Sequence, residues 1–133
     1  MKIIYANTIW YATILIGLVN AALHRHNEFD WEGMPDVRNN YDVLYGVLGL
    51  YLLVCIAGLL LKKNWGLSAA IYANATLAFI PFGIFATSIF MLMPEINFIE
   101  IFRINLSNLL VAVVSFVFWL SLVKIRAKIK NTK

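Results

Sequence analysis

Residues 43–66 read VLYGVLGLYLLVCIAGLLLKKNWG. The stretch 43–61 carries no charge, Lys62-Lys63-Asn64 follows, and an apolar run resumes at Trp65. A bilayer hydrocarbon core of ~30 Å takes about 20 helical residues, so 43–61 is long enough to cross one. So short a polar break between two such runs leaves room only for a tight turn, which makes the flanking helices an antiparallel hairpin. The paired lysines mark that turn as cytoplasmic, because Lys and Arg are retained on the inner side of a membrane.

Working outward, runs of the same kind occupy residues 3–23, 65–93 and 97–123. The acids Glu28, Asp30, Glu32, Asp36, Asp42, Glu95 and Glu100 fall between runs one and two or at the junction of three and four. Most of the basic residues (Lys2, Lys62, Lys63, Lys124, Arg126, Lys128, Lys130, Lys133) fall at the ends of the chain or in the 62–64 turn. This alternation predicts one all-α domain over 1–133, an antiparallel four-helix transmembrane bundle with both termini cytoplasmic. An acidic outer loop spans 25–41 and a basic tail spans 124–133. A bacterial inner (plasma) membrane is the expected location.

Composition agrees. The chain of 133 residues is 62% hydrophobic and 14% charged, and its mean hydropathy is +0.78. A soluble domain carries about 25% charged residues, and one this small has too much surface to hide so much apolar area. Helices follow because backbone amides in lipid must bond internally; continuous rather than alternating runs exclude a transmembrane barrel. The net charge of +4 reflects topology, so no nucleic-acid partner is expected. The tail KIRAKIKNTK can attract anionic headgroups, but a stop-transfer role accounts for it. Val19-Asn20-Ala21 fits a small-x-small cleavage pattern, yet run one is long for a signal peptide, so it reads as a retained helix.

Within the runs, Trp10, Thr13, Gly17, Asn20 and His24 share one helical face by their 3–4 spacing, which should point into the bundle. Gly46, Gly49 and Ala57-Gly58 should let helix two approach its neighbours closely. Pro81 should kink run three. Asn105, Asn108, Ala112, Ser115, Trp119 and Leu122 form the cleanest stripe of run four. In the outer loop, Phe29, Trp31 and Met34 should fold back over the bundle mouth. Lone Cys55 is a packing residue, since thiol relays need a pair.

Three constellations bear on chemistry. Asn20, Asn74, Asn105 and Asn108 are costly in hydrocarbon when unpaired: either they bond across helices, or the outer ones line a pocket. That pocket, from Asn20, His24, Arg103, Asn105 and Asn108, would take an amphiphile such as a lipid or quinone. His24, His26, Glu28, Asp30 and Glu32 alternate at a period of two, which gathers them on an extended segment, whereas a helix pairs His24 with Glu28; imidazole plus carboxylate is a metal-ligand set. The two histidines cannot clamp one haem from both sides. Glu100 and Arg103 should form a local pair at the end of helix four. No nucleophile triad, P-loop, GxGxxG or CxxC is present.

Lys62-Lys63-Asn64-Trp65-Gly66 resembles the basic-Trp-Gly inner turn of many small bacterial membrane proteins. In size and span layout the chain is similar to small four-helix groups such as the DoxX-like proteins, an outline that implies no function. The expected role is a non-catalytic accessory or scaffold subunit, partnered by the lipid bilayer and by other membrane subunits or itself. No cofactor is predicted. The amphiphile binder or enzyme is the alternative, and a metal-binding outer loop the second.

Overall fold

The computed structural model describes the backbone of residues 2–28, 35–92 and 97–131, with side chains over 2–24, 43–91 and 97–130. The described residues form four helices: α1 (Lys2–Glu28), α2 (Pro35–Leu60), α3 (Asn64–Leu92) and α4 (Phe98–Asn131). All four are long and apolar enough to cross a membrane, the candidate spans being Lys2–His24, Val43–Leu60, Asn64–Met91 and Phe98–Lys130. Their outward faces are suited to lipid: Ile16 is 71% and Phe90 84% exposed.

Helical backbone occupies more of the chain than the sequence suggests. α1 continues to Glu28 and α2 begins at Pro35, taking up much of the segment read as loop 25–41. Pro35 suits a first helical position, where no amide is needed and its φ is already set. Phe29, Trp31 and Met34 lie outside the described residues. α3 runs unbroken through Pro81 to Leu92. α4 starts at a capping-box sequence, with Asn97 followed three residues later by Glu100. The Asn97 carbonyl accepts from the amides of Glu100 at 2.9 Å and Ile101 at 3.2 Å, and Glu100 in the first turn complements the helix dipole.

By contacts the chain divides into two compact units, Met1–Leu67 and Ser68–Lys133. In the first, α1 packs on α2. Ile4 and Tyr5 lie beside Leu59, Leu60 and Lys62, and Leu15 and Leu18 lie beside Tyr45, Gly46 and Gly49. The start of α1 therefore meets the end of α2. A Cβ at Gly49 would touch Leu15 at an ordinary 3.6 Å, whereas Gly46 has nothing within 4 Å. Of the glycines expected to permit close approach in α2, Gly58 is the one that does so.

The α2–α3 turn explains Gly58. Lys62 takes φ 54°, the left-handed position that ends a helix and usually belongs to glycine. The Lys63 amide donates to the Gly58 carbonyl at 3.1 Å, and the Lys62 amide to Leu59 at 3.1 Å. This bond pair is the Schellman motif. It folds the first turn of α3 onto the last turn of α2, where a Cβ on Gly58 would meet Gly66 Cα at 2.6 Å and the Trp65 ring at 2.7 Å.

In the second unit, Phe79 meets Phe116 and Trp119 edge-on at 6.4 and 5.8 Å between centroids, and Phe85 meets Phe102 at 6.3 Å. Later positions of α3 thus face earlier positions of α4. Many of the buried positions here are small: Ala70, Ala73, Asn74 and Ala78 on α3, with Ala112 and Ser115 on α4, beside the larger Ile71, Leu77, Ile101 and Leu122. Small side chains let helix backbones approach, which is how van der Waals contact accumulates in lipid.

Candidate functional site

α1 presents the other side from the one expected. Asn7 and Tyr11 are fully buried, and Leu15, Leu18 and Ala22 line the contact with α2. At 100° per residue, Thr13, Gly17, Asn20 and His24 lie about 180–240° around from Tyr11. All four are exposed, and Trp10 is half-buried. Two physical reasons account for the inversion. Leucine and tyrosine offer more contact area than Thr, Gly and Asn. The Thr13 hydroxyl is also satisfied on its own helix, donating to the Ile9 carbonyl at 3.0 Å.

The pocket candidates divide between the two units. Asn20 and His24 belong to the first, and Arg103, Asn105 and Asn108 to the second. Asn20 is exposed on a groove of about 520 Å³ with Leu15, Ile16 and Leu53; no hydrogen bond of its side chain forms among the described residues. Asn105 is buried, 4% exposed, and donates Nδ2 to the Ile101 carbonyl of its own helix at 3.0 Å. Asn108 and Arg103 are exposed. Asn74 is fully buried and makes the same kind of bond, Nδ2 to Ala70 at 3.0 Å. The stripe of α4 is otherwise as spaced: Asn105, Ala112, Ser115 and Leu122 are buried and Trp119 half-buried.

Asn7 is the buried amide that the site reading omits. Its signal is the spacing Asn7, Tyr11, Leu15, Leu18, which holds one face as regularly as the polar set does.

Glu100 and Arg103 are both exposed, and no ion pair joins them among the described residues. Exposed helix pairs contribute only about 0.3–0.5 kcal/mol, less than the side-chain entropy they cost. In the histidine segment, backbone 24–28 is helical, so positions two apart lie about 200° around the axis and the extended arrangement does not apply there. Among the described residues no three His, Cys, Asp or Glu side chains gather as a metal-ligand group. Asp30 and Glu32, and the side chains of His26 and Glu28, lie outside the described set.

Compared with known proteins, the chain matches no family model, no curated protein and no solved structure.

Proposed function

We propose that this chain is an antiparallel four-span bundle of the bacterial inner membrane, with both termini cytoplasmic. In this reading it is a non-catalytic accessory or scaffold subunit that works through helix–helix contacts with itself or a partner. The orientation rests on the charge asymmetry of the loops. The role rests on one observation: the exposed stripe Thr13–Gly17–Asn20 on α1, opposite the face that packs on α2. Gly17 has nothing within 4 Å of where a Cβ would stand, so its backbone is open to a second helix. An amide in hydrocarbon gains about 0.6–2 kcal/mol by bonding to a neighbouring helix, and Asn20 supplies that amide beside the open glycine.

The test is association in mild detergent and in nanodiscs. A cysteine at position 17, in a Cys55→Ser chain, should cross-link to a second copy or to a defined co-purifying membrane protein. Gly17→Leu and Asn20→Leu should abolish association while leaving helix content intact. A monomer with no co-purifying membrane partner refutes the role. Labelling that found residues 29–34 and 124–133 in one compartment refutes the orientation.

The amphiphile reading keeps one supporting feature, the position of Asn20 on its apolar groove.

A further inference from the structure

We infer that the second unit holds an anionic phospholipid, its acyl chain in a groove between α3 and α4 and its phosphate at Lys124 and Lys128. This site is on different helices from the α1 stripe and does not depend on the helix-contact reading; it requires only that α3 and α4 cross the bilayer.

The groove has a volume of about 310 Å³ and no polar lining. Ala78 and Ala112, both buried, contribute the short side chains that leave the space. Phe79 and Phe116 rise beside them, braced against Trp119 at 5.8 and 5.6 Å. A wholly apolar slot at membrane depth is filled by hydrocarbon, and the nearest hydrocarbon is an acyl chain.

Charge identifies the rest of the molecule. Val113 and Val117 line the groove. Continuing along α4, Leu120, Lys124 and Lys128 lie within about 60° of the Val113 direction. Arg126 and Lys130 lie about 220° and 260° around and face elsewhere. Lys124 stands about 10 Å along the axis from Val117 and about 16 Å from Val113 at 1.5 Å per residue. One leaflet of hydrocarbon is ~15 Å deep, half of ~30 Å. A chain seated at Val113–Val117 therefore carries its phosphate to the level of Lys124. On α3, Tyr72 is 65% exposed and lies about 20° from the Phe79 direction, about 10 Å toward the start of the helix. Because Phe79 faces Phe116 and Trp119, this step brings Tyr72 to the depth of Lys124. Tyrosine is favoured at that interfacial level. A cation on each of two successive turns selects an anionic headgroup over a zwitterionic one.

The experiment is native mass spectrometry of the full chain in mild detergent, titrated with dioleoyl phosphatidylglycerol or dioleoyl phosphatidylcholine. The unmodified chain should hold phosphatidylglycerol at least tenfold more tightly. Lys124→Gln/Lys128→Gln should weaken it about thirtyfold, from ~1 kcal/mol per charge. Arg126→Gln/Lys130→Gln removes the same charge from other faces and should weaken it less than threefold. Val113→Trp or Val117→Trp, filling the groove from its exposed rim, should weaken both lipids about tenfold at unchanged helix content. Equal affinity of the unmodified chain for the two lipids overturns the proposal without any variant. So does equal weakening by the two charge pairs, which would reduce the site to a diffuse basic tail.

Discussion

Gly66→Ala sets two effects of opposite sign against each other. Gly66 lies in the first turn of α3, and alanine is about 1 kcal/mol better than glycine inside a helix. On propensity alone the variant is more stable. Packing argues the reverse, because the new Cβ would fall on the backbone carbonyl carbon and oxygen of Gly58. The obstructing atoms are backbone, in a turn closed by the Lys63–Gly58 and Lys62–Leu59 bonds, so no side-chain rotation relieves the contact. Carbon atoms rest ~3.5–4.0 Å apart, so the ends of α2 and α3 must separate by about 1 Å or more. Overpacking of this kind costs about 1–3 kcal/mol, and the upper part of that range applies where backbone meets backbone. After the propensity gain, the expected result is a net loss of about 2 kcal/mol. Gly83→Ala is the control, since nothing lies within 4 Å of its Cβ position; it should gain about 0.5–1 kcal/mol. Both are read by unfolding in mixed micelles with increasing dodecyl sulfate, followed by far-ultraviolet circular dichroism. If Gly66→Ala is as stable as Gly83→Ala, the close approach of the two glycines is not what holds the turn.

Lys62→Gly should stabilise the same turn by about 1 kcal/mol in that assay, because a side chain in the left-handed region costs about 1–2 kcal/mol; Lys62→Val should destabilise it. Phe79→Leu should cost about 1–3 kcal/mol, from two edge contacts of ~0.5–1.5 kcal/mol each, whereas Phe90→Leu, at an 84% exposed site, should be near neutral. Cys55 is free and buried, so N-ethylmaleimide should leave it unmodified in mild detergent and alkylate it fully after unfolding in dodecyl sulfate; rapid labelling of the folded chain would contradict its placement.

The helices were legible because length and hydrophobicity are sufficient for them. Residues 43–61 and Lys62-Lys63-Asn64 foretell the span of α2 and a turn, and the structure adds that α2 begins earlier, at Pro35, and that Lys62 takes the left-handed position. The facing of α4 was legible too, since Asn105, Ala112, Ser115 and Leu122 fall on a stripe with a regular spacing of three and four along the helix. The facing of α1 was not. Thr13, Gly17, Asn20 and His24 read as an inward face because they carry most of the polarity of the helix. Contact area decided instead, and placed Tyr11, Leu15 and Leu18 on the packed side. The candidate pocket draws on a different kind of inference: periodicity ties residues together within one helix, but Asn20 and Asn105 belong to different helices, and spacing carries no information between them.

The facing of α1 isolates which polar atoms report on facing in lipid. Hydroxyls do not. Thr8, Thr13, Thr76, Thr87 and Ser88 each donate to the carbonyl four residues back, at 2.8–3.0 Å. A hydroxyl closed on its own helix adds little cost wherever it points. An asparagine has two donors and an acceptor, and one bond to its own helix, as Asn105 makes with Ile101, uses a single donor. Its remaining capacity favours a position within reach of a polar group on a neighbouring helix. Asn7, Asn74 and Asn105 are buried; Asn20 is exposed beside an open glycine. The weight of the association proposal therefore falls on Asn20 rather than on Thr13. Thr13→Val should leave association nearly intact where Asn20→Leu removes it.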